Sequence, residues 1–469
     1  MLCVNAGHLA PAGLPLLLSS PRAPVSISAS VAQDAGACAL LVGTAIGGGF
    51  LALPYATAPA GALPSAAVLT GCWAWLLAES LLIAELVMEA SAERSRAGNS
   101  SAPVSFASLG YDAFGEAGGG AVSLTFIILM ITTMVSQIAK GDALLASVPM
   151  APASAAVRCG VLAASVSTFA CLASANMVSL INGALTVGFI GAVSTLFAAG
   201  WPLADWSRLA RADWSLAFQA APTLLQLHVY CEVVPVVCSF LSYSRARVRR
   251  VIVVGSLALL AIQLFWSSLG IALVAPSLGG GALRSDPVAS LMLGHGYVTV
   301  TSRLRHGYVA AATAATATTA VLTTILGTAR ALHIFSLDAT RASKTAGVPS
   351  SSPSAGVGGR AGGGGLPSLL LYAATIAIPT TIATTAGSTA AYFGAIDLAG
   401  AYPAALLWGL VPPLMAMRRR RTTGAPRSPG LVALATLSAA FVAANLAGDI
   451  AWLLPGLGGG INGGRARWQ

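Results

Sequence analysis

Charge is scarce in this chain. Asp, Glu, Lys and Arg together make up 9% of its 469 residues, against roughly a quarter in soluble domains. A water-soluble fold of that length could not clothe its surface with so few charges, whereas a surface facing lipid needs none. Lysine occurs only at Lys140 and Lys344, so the net charge of +10 is carried by arginine. The arginines fall in short clusters between long apolar runs, not in one basic stripe, which argues against a nucleic-acid partner. Paired cysteines are missing as well. Cys3, Cys38, Cys72, Cys159, Cys171, Cys231 and Cys238 show no CxxC spacing, so disulfide and metal roles are not expected and they read as small membrane hydrophobes. No HExxH, Walker loop or GxSxG occurs, and neither an enzyme activity, a cofactor nor a metal is expected.

What the chain has is apolar length. Hydrophobic residues make up 56% and the mean hydropathy is +0.79. A crossing helix needs about 20 mostly apolar residues. Eleven segments qualify: 34–59, 64–89, 119–146, 155–174, 178–201, 216–242, 249–275, 307–336, 367–392, 399–417 and 430–454. The ninth and tenth are the hardest to divide. The fold class is therefore all-α integral membrane, with a membrane domain over residues 32–455 and the lipid bilayer as its solvent.

Loop charges orient the spans. Arg94 and Arg96, then Arg245, Arg247, Arg249 and Arg250, then Arg341, Lys344 and Arg360, then Arg418, Arg419, Arg420, Arg421 and Arg427 all fall on one side. The other side carries fewer basic residues, partly balanced by acids, as in Asp205, Arg208, Arg211 and Asp213. By the positive-inside pattern the N-terminus is cytoplasmic and, after an odd number of spans, the C-terminus lies opposite. Trp201, Trp206 and Trp214 flank an external loop as an interfacial belt would. Residues 343–366 form a Gly/Ser-rich cytoplasmic linker, and 456–469 a C-terminal tail. Residues 1–31 form an N-terminal arm without an acid in its first 30 positions. That composition fits a transit peptide, a weak signal or a plain cytoplasmic arm, and leaves a plastid envelope and the plasma membrane both open.

Two spans carry the signature of a break. The first contains GTAIGGGFLALP at residues 43–54. Consecutive glycines cost a helix interior roughly 1 kcal/mol each relative to Ala, and Pro54 removes a further hydrogen bond. Bare backbone at mid-membrane is tolerated only where it lines a cavity or is buried in protein. A half-helix restarting near Gly49 would aim free N–H groups and its positive dipole end into that cavity, where a carboxylate is the natural partner. Close helix packing through Gly43 and Gly47 is the alternative, but it does not call for Gly48 and Gly49. The sixth span contains QLHVYCEVVP at residues 226–235. Pro235 biases Val234 away from helical dihedrals and suits the first turn of a resumed helix. His228 and Glu232 are polar groups in an apolar run, and an intramembrane ionisable residue costs about 2.5–3.5 kcal/mol on insertion scales, so each is a site candidate. Breaks five helices apart are what a five-plus-five inverted repeat produces, with a binding site at the repeat interface. The residues alone thus describe an anion-binding carrier with two broken helices.

At these positions the sequence resembles the tyrosine and tryptophan permease family of the amino acid–polyamine–organocation superfamily, in its plant and algal branch. The first-helix stretch carries the resemblance. GALPS at 61–65, LLIAE at 81–85, YCEVVP at 230–235, FGAIDLAG at 393–400 and GLVP at 409–412 support it. The resemblance implies a leucine-transporter-type fold and a secondary transporter (a symporter) of amino acids, aromatic ones foremost, coupled to protons. Its alternatives are a sodium-coupled or neutral carrier of the same fold and a transport-inactive amino-acid sensor. The residues that would touch substrate are Gly43, Thr44, Gly47, Gly48, Gly49, Tyr230, Cys231 and Glu232. Glu232 and Glu79 are the coupling candidates, and Thr316 and Thr319 weaker pocket candidates. One departure stands out: relatives commonly have histidine followed by a small or amide residue where this chain has Cys231 and Glu232.

Overall fold

The computed structural model describes residues 27–97, 104–148, 150–273, 300–345, 366–426 and 428–453. Residues 1–26 of the N-terminal arm, 346–365 of the Gly/Ser linker and the 456–469 tail lie outside the described residues. Helices account for nearly everything described, and the one β-type contact is an isolated bridge between Gly61 and Ala212.

The helices are α1 (Ile27–Ala45), α2 (Leu53–Thr57), α3 (Ala62–Arg96), α4 (Phe106–Ala146), α5 (Ala155–Leu172), α6 (Ala175–Gly200), α7 (Ala221–Leu227) and α8 (Val234–Phe240). They continue as α9 (Arg245–Leu273), α10 (Val300–Thr345), α11 (Leu366–Thr385), α12 (Ser388–Ala399), α13 (Val411–Thr422) and α14 (Pro429–Leu453). Among the described residues, nine stretches are long and apolar enough to cross a membrane, ten if the bent pair in the first span is one crossing. The expected count was eleven; the expected ninth crossing falls on α11, a charge-free helix of 20 residues that is not among those stretches.

Several boundaries differ from expectation, and α10 runs on to Thr345, into the expected 343–366 linker. The ninth crossing ends at Thr385, and Gly387 at φ 79° is the N-cap of α12, so the residues up to Tyr392 expected in the ninth crossing belong to the tenth. Glycine alone adopts that dihedral freely, and Pro379 inside α11 obscured the stop. The third crossing begins at Phe106, behind a Ser105–Ser108 capping box, with Gly115 at φ 70° marking a kink that hydropathy alone does not show.

The tenth crossing passes through a π-helix at Gly400–Leu410 between α12 and α13. It and the sixth crossing are the most enclosed, each with 67% of its apolar window buried, whereas α14 has 11% and forms the lipid-facing rim. α9 packs against both α1 and α3, and α10 against α6, α5 and α4.

Candidate functional site

The first crossing breaks as the glycines require. α1 stops at Ala45, Gly47 is extended, and a 3-10 turn runs from Gly48 to Ala52 before α2 begins. The two halves meet at 57°. Pro54 sits in the first turn of α2, where its missing N–H leaves no bond unmade. The sixth crossing breaks between Leu227 and Cys231, with a 3-10 turn at Cys231–Val233 and Pro235 in the first turn of α8.

Both breaks open onto one cavity of about 470 Å³. Gly43, Thr44, Gly47 and Gly49 line it from the first crossing, and Gln226 and Glu232 from the sixth. α4 adds Thr133, Ser136 and Gln137; α6 adds Asn182 and Thr186; α10 adds Thr323, Thr324 and Thr328. The opening turn of a helix lacks carbonyl partners for its first N–H groups, so Gly48 and Gly49 present theirs at the break. Acceptors face them. The amide oxygens of Gln137, Asn182 and Gln226 are buried without a hydrogen bond inside the chain. Among the described residues, Glu232 is the one ionisable side chain on the cavity wall, and no hydrogen bond or ion pair holds its carboxylate.

The cavity is lopsided across the membrane. It extends along α1 to Gly36, two residues from Asp34, whose carboxylate takes Arg247 at 2.6 Å on the arginine-rich face. Past the break in the first crossing, towards the opposite face, lie two aromatic contacts. Phe50 stacks on Trp266 with centroids 5.4 Å apart, and Tyr55 on Phe393 at 3.9 Å.

The sequence profile of the tryptophan/tyrosine permease family matches residues 32–433. The chain belongs to that family. As a tryptophan/tyrosine permease family member it is a multi-pass membrane permease, and so a transporter rather than an enzyme. Among solved structures, that of the Eremococcus coleocola manganese transporter in complex with an aromatic bis-isothiourea substituted compound aligns over 93% of this chain and 96% of its own, at 12% identity and a TM-score of 0.42. No curated protein sequence matches the chain.

The permease brings together only part of the residue set that its sequence suggests. Gly43, Thr44, Gly47, Gly49 and Glu232 share the cavity, and Gly48 lies in the turn between them. Tyr230 and Cys231 turn away: the Tyr230 hydroxyl lies 3.2 Å from Ser80 Oγ, and the Cys231 thiol faces the Leu76 carbonyl, both on α3. Glu79 is fully buried on α3, away from the cavity wall, and neither of its oxygens accepts a hydrogen bond of ordinary geometry. Thr316 and Thr319 bond carbonyls of their own helix at 2.7 Å, to Ala312 and Ala315, and do not reach the cavity. His228 is buried away from the cavity too.

Several polar residues of the permease went unremarked in the sequence. Gln263 donates to the Leu227 carbonyl at 2.7 Å, and Trp266 to the Phe50 carbonyl at 2.8 Å. One turn apart on α9, they satisfy backbone carbonyls beside both breaks, as hydrocarbon surroundings demand. Their signal was legible: a glutamine and a tryptophan three apart in an otherwise apolar run. Asp449, which has no role evident in the sequence, accepts from the Tyr402 hydroxyl in the π-helix. Glu85 meets Arg245 at 3.3 Å.

Proposed function

We propose that this permease carries an aromatic amino acid across the membrane together with a proton, by alternating access between the two faces. The cavity at the two breaks supports that function above all. Its N–H groups at Gly48 and Gly49 suit a carboxylate, while Glu232 and the amide oxygens of Gln137, Asn182 and Gln226 suit an ammonium. A zwitterion needs both kinds of partner at once. Leu40, Leu129, Met130 and Ile396 supply apolar wall for a side chain, and the volume falls within the range of small-molecule sites, about 300–1,000 Å³.

Glu232 is the coupling group in this proposal, because no other titratable side chain lines the cavity among the described residues. Protonated, it leaves a loaded cavity without uncompensated charge, the condition under which an occluded intermediate in low dielectric costs least. Glu79 has no route to the substrate and is secondary. With the arginine-rich face cytoplasmic, the N-terminus lies inside, the C-terminus outside, and the cavity opens to the cytoplasm.

The test is uptake of labelled Tyr, Trp and Phe into proteoliposomes under imposed proton or sodium gradients. Accumulation is expected under a proton gradient and not under sodium alone. Glu232→Gln is expected to retain substrate exchange while losing proton-driven accumulation. Accumulation that follows sodium, or a Glu232→Gln protein that still concentrates substrate with pH, overturns the coupling proposal. No accumulation of any of the three overturns the substrate proposal.

A further inference from the structure

A second cavity, of about 400 Å³, lies apart from the first, at the arginine-rich face. Three helices build it. α3 contributes a stripe from Ala78 to Met88 that includes Leu82 and Glu85; α9 contributes Arg245 and Arg249 from its first turns; α14 contributes Leu434, with Ser428 at its start. The stripes recur at three- and four-residue spacing, so each helix turns one continuous face inwards. The lower wall is apolar and the mouth is basic.

The mouth is built for an anion. Arg245 engages Glu85, and Arg247 and Arg250 engage Asp34, but Arg249 forms neither an ion pair nor a hydrogen bond among the described residues. The Ser428 hydroxyl is likewise uncommitted. Two long helices, α9 of 29 residues and α14 of 25, begin beside the cavity, which places their positive dipole ends near it. α14 is the least buried crossing, so the cavity sits beside the lipid rim.

We propose that this cavity binds an anionic glycerophospholipid. Its phosphate is held by Arg249, Ser428 and the opening turns of α9 and α14, and an acyl chain lies along Leu82 and Leu434. Basic pockets between membrane helices take lipid headgroups in this way. The apolar lower wall selects a lipid over a free phosphate, because a soluble anion would leave that wall against water.

The test uses the full chain in nanodiscs or detergent. Native mass spectrometry and a thermal-shift assay compare phosphatidylglycerol with phosphatidylcholine, with inorganic phosphate and glycerol phosphate as soluble arms. Phosphatidylglycerol is expected to remain bound and to raise the unfolding temperature above that in phosphatidylcholine. Arg249→Ala with Ser428→Ala is expected to weaken retention roughly tenfold, the scale of a lost charge-assisted hydrogen bond. Arg418→Ala, on the same face but outside the cavity, is expected to leave retention unchanged. Equal retention of both lipids, an equal shift from the soluble anions, or an equal loss in Arg418→Ala overturns the proposal. If the double variant fails to fold, Arg249→Lys decides: it keeps the charge but loses the forked geometry, and undiminished phosphatidylglycerol retention counts against a built site.

Discussion

Gly47 stands where a methyl group has no room. A Cβ there would come within 2.7 Å of Thr324 Oγ1, on the opposite wall of the cavity. Overpacking of that kind costs about 1–3 kcal/mol, so Gly47→Ala is expected to slow transport roughly tenfold in a protein that still reaches the membrane. Thr324→Ala in the same protein removes the offending oxygen and leaves the Thr324 Cβ at 3.9 Å, an ordinary contact. The pair should recover much of the lost rate in a vesicle uptake assay. A single Gly47→Ala protein with unchanged uptake would show that the close approach is immaterial. The same scale explains which candidate residues sequence could not place. Successive residues of a helix point ~100° apart. Thr319 therefore faces ~140° away from Thr324, and Thr316 sits two turns further along α10. A threonine-rich segment announces hydroxyls, but the facing stripe of 323, 324, 327, 328 and 331 emerges only once α10 is set against α1. Likewise Tyr230, Cys231 and Glu232 are consecutive in a tight turn, so they cannot all face one cavity.

Among elements, the breaks were the most legible feature, because three glycines and two prolines act through local backbone energetics. The loop between α6 and α7 was read for its tryptophans and its balanced charges, yet it is also a built element. Asp205 and Asp213 each accept from the serine two residues on, Ser207 and Ser215, through both hydroxyl (2.6 Å) and backbone N–H. The Asp213 N–H donates to Ala60 at 2.8 Å and the Asp205 N–H to Ala272 at 3.0 Å, so the loop fastens the ends of the first and seventh crossings. The Ser207 hydroxyl holds the Asp205 carboxyl below its ordinary value of 3.8, with Arg208 assisting. The Ser215 hydroxyl does the same for Asp213, with Arg211 nearby. For a depressed carboxylate, the stabilisation is fully present above the unfolded value and is lost as pH falls through the folded one. Hydrogen exchange over residues 204–216, corrected for intrinsic rate, should therefore hold constant from neutral pH down to about 4 and rise below it. A rise already near pH 6 would mean that some other group fastens the loop.

For the molecule as a whole, the cavity reaches to Gly36, while Tyr55 stacks on Phe393 beyond the break, and access from one side is the expectation that follows. In a cysteine-depleted protein, Thr44→Cys is expected to react with a membrane-impermeant maleimide added at the arginine-rich face, and Tyr55→Cys is not. Reaction of Thr44→Cys from the opposite face alone would reverse the assigned access. That the chain is a multi-pass bundle of apolar helices was readable from hydropathy. How far the cavity reaches along α1 was not, since that depends on how separate helices lean together.

The grip of α9 on both interruptions carries one more consequence. Gln263 and Trp266 reach from adjacent turns of a single rod to the carbonyls of Leu227 and Phe50. The two hinges thus share one fulcrum. A displacement that parted either from α9 would strand a carbonyl away from water, so any motion of one broken segment is expected to carry the other with it.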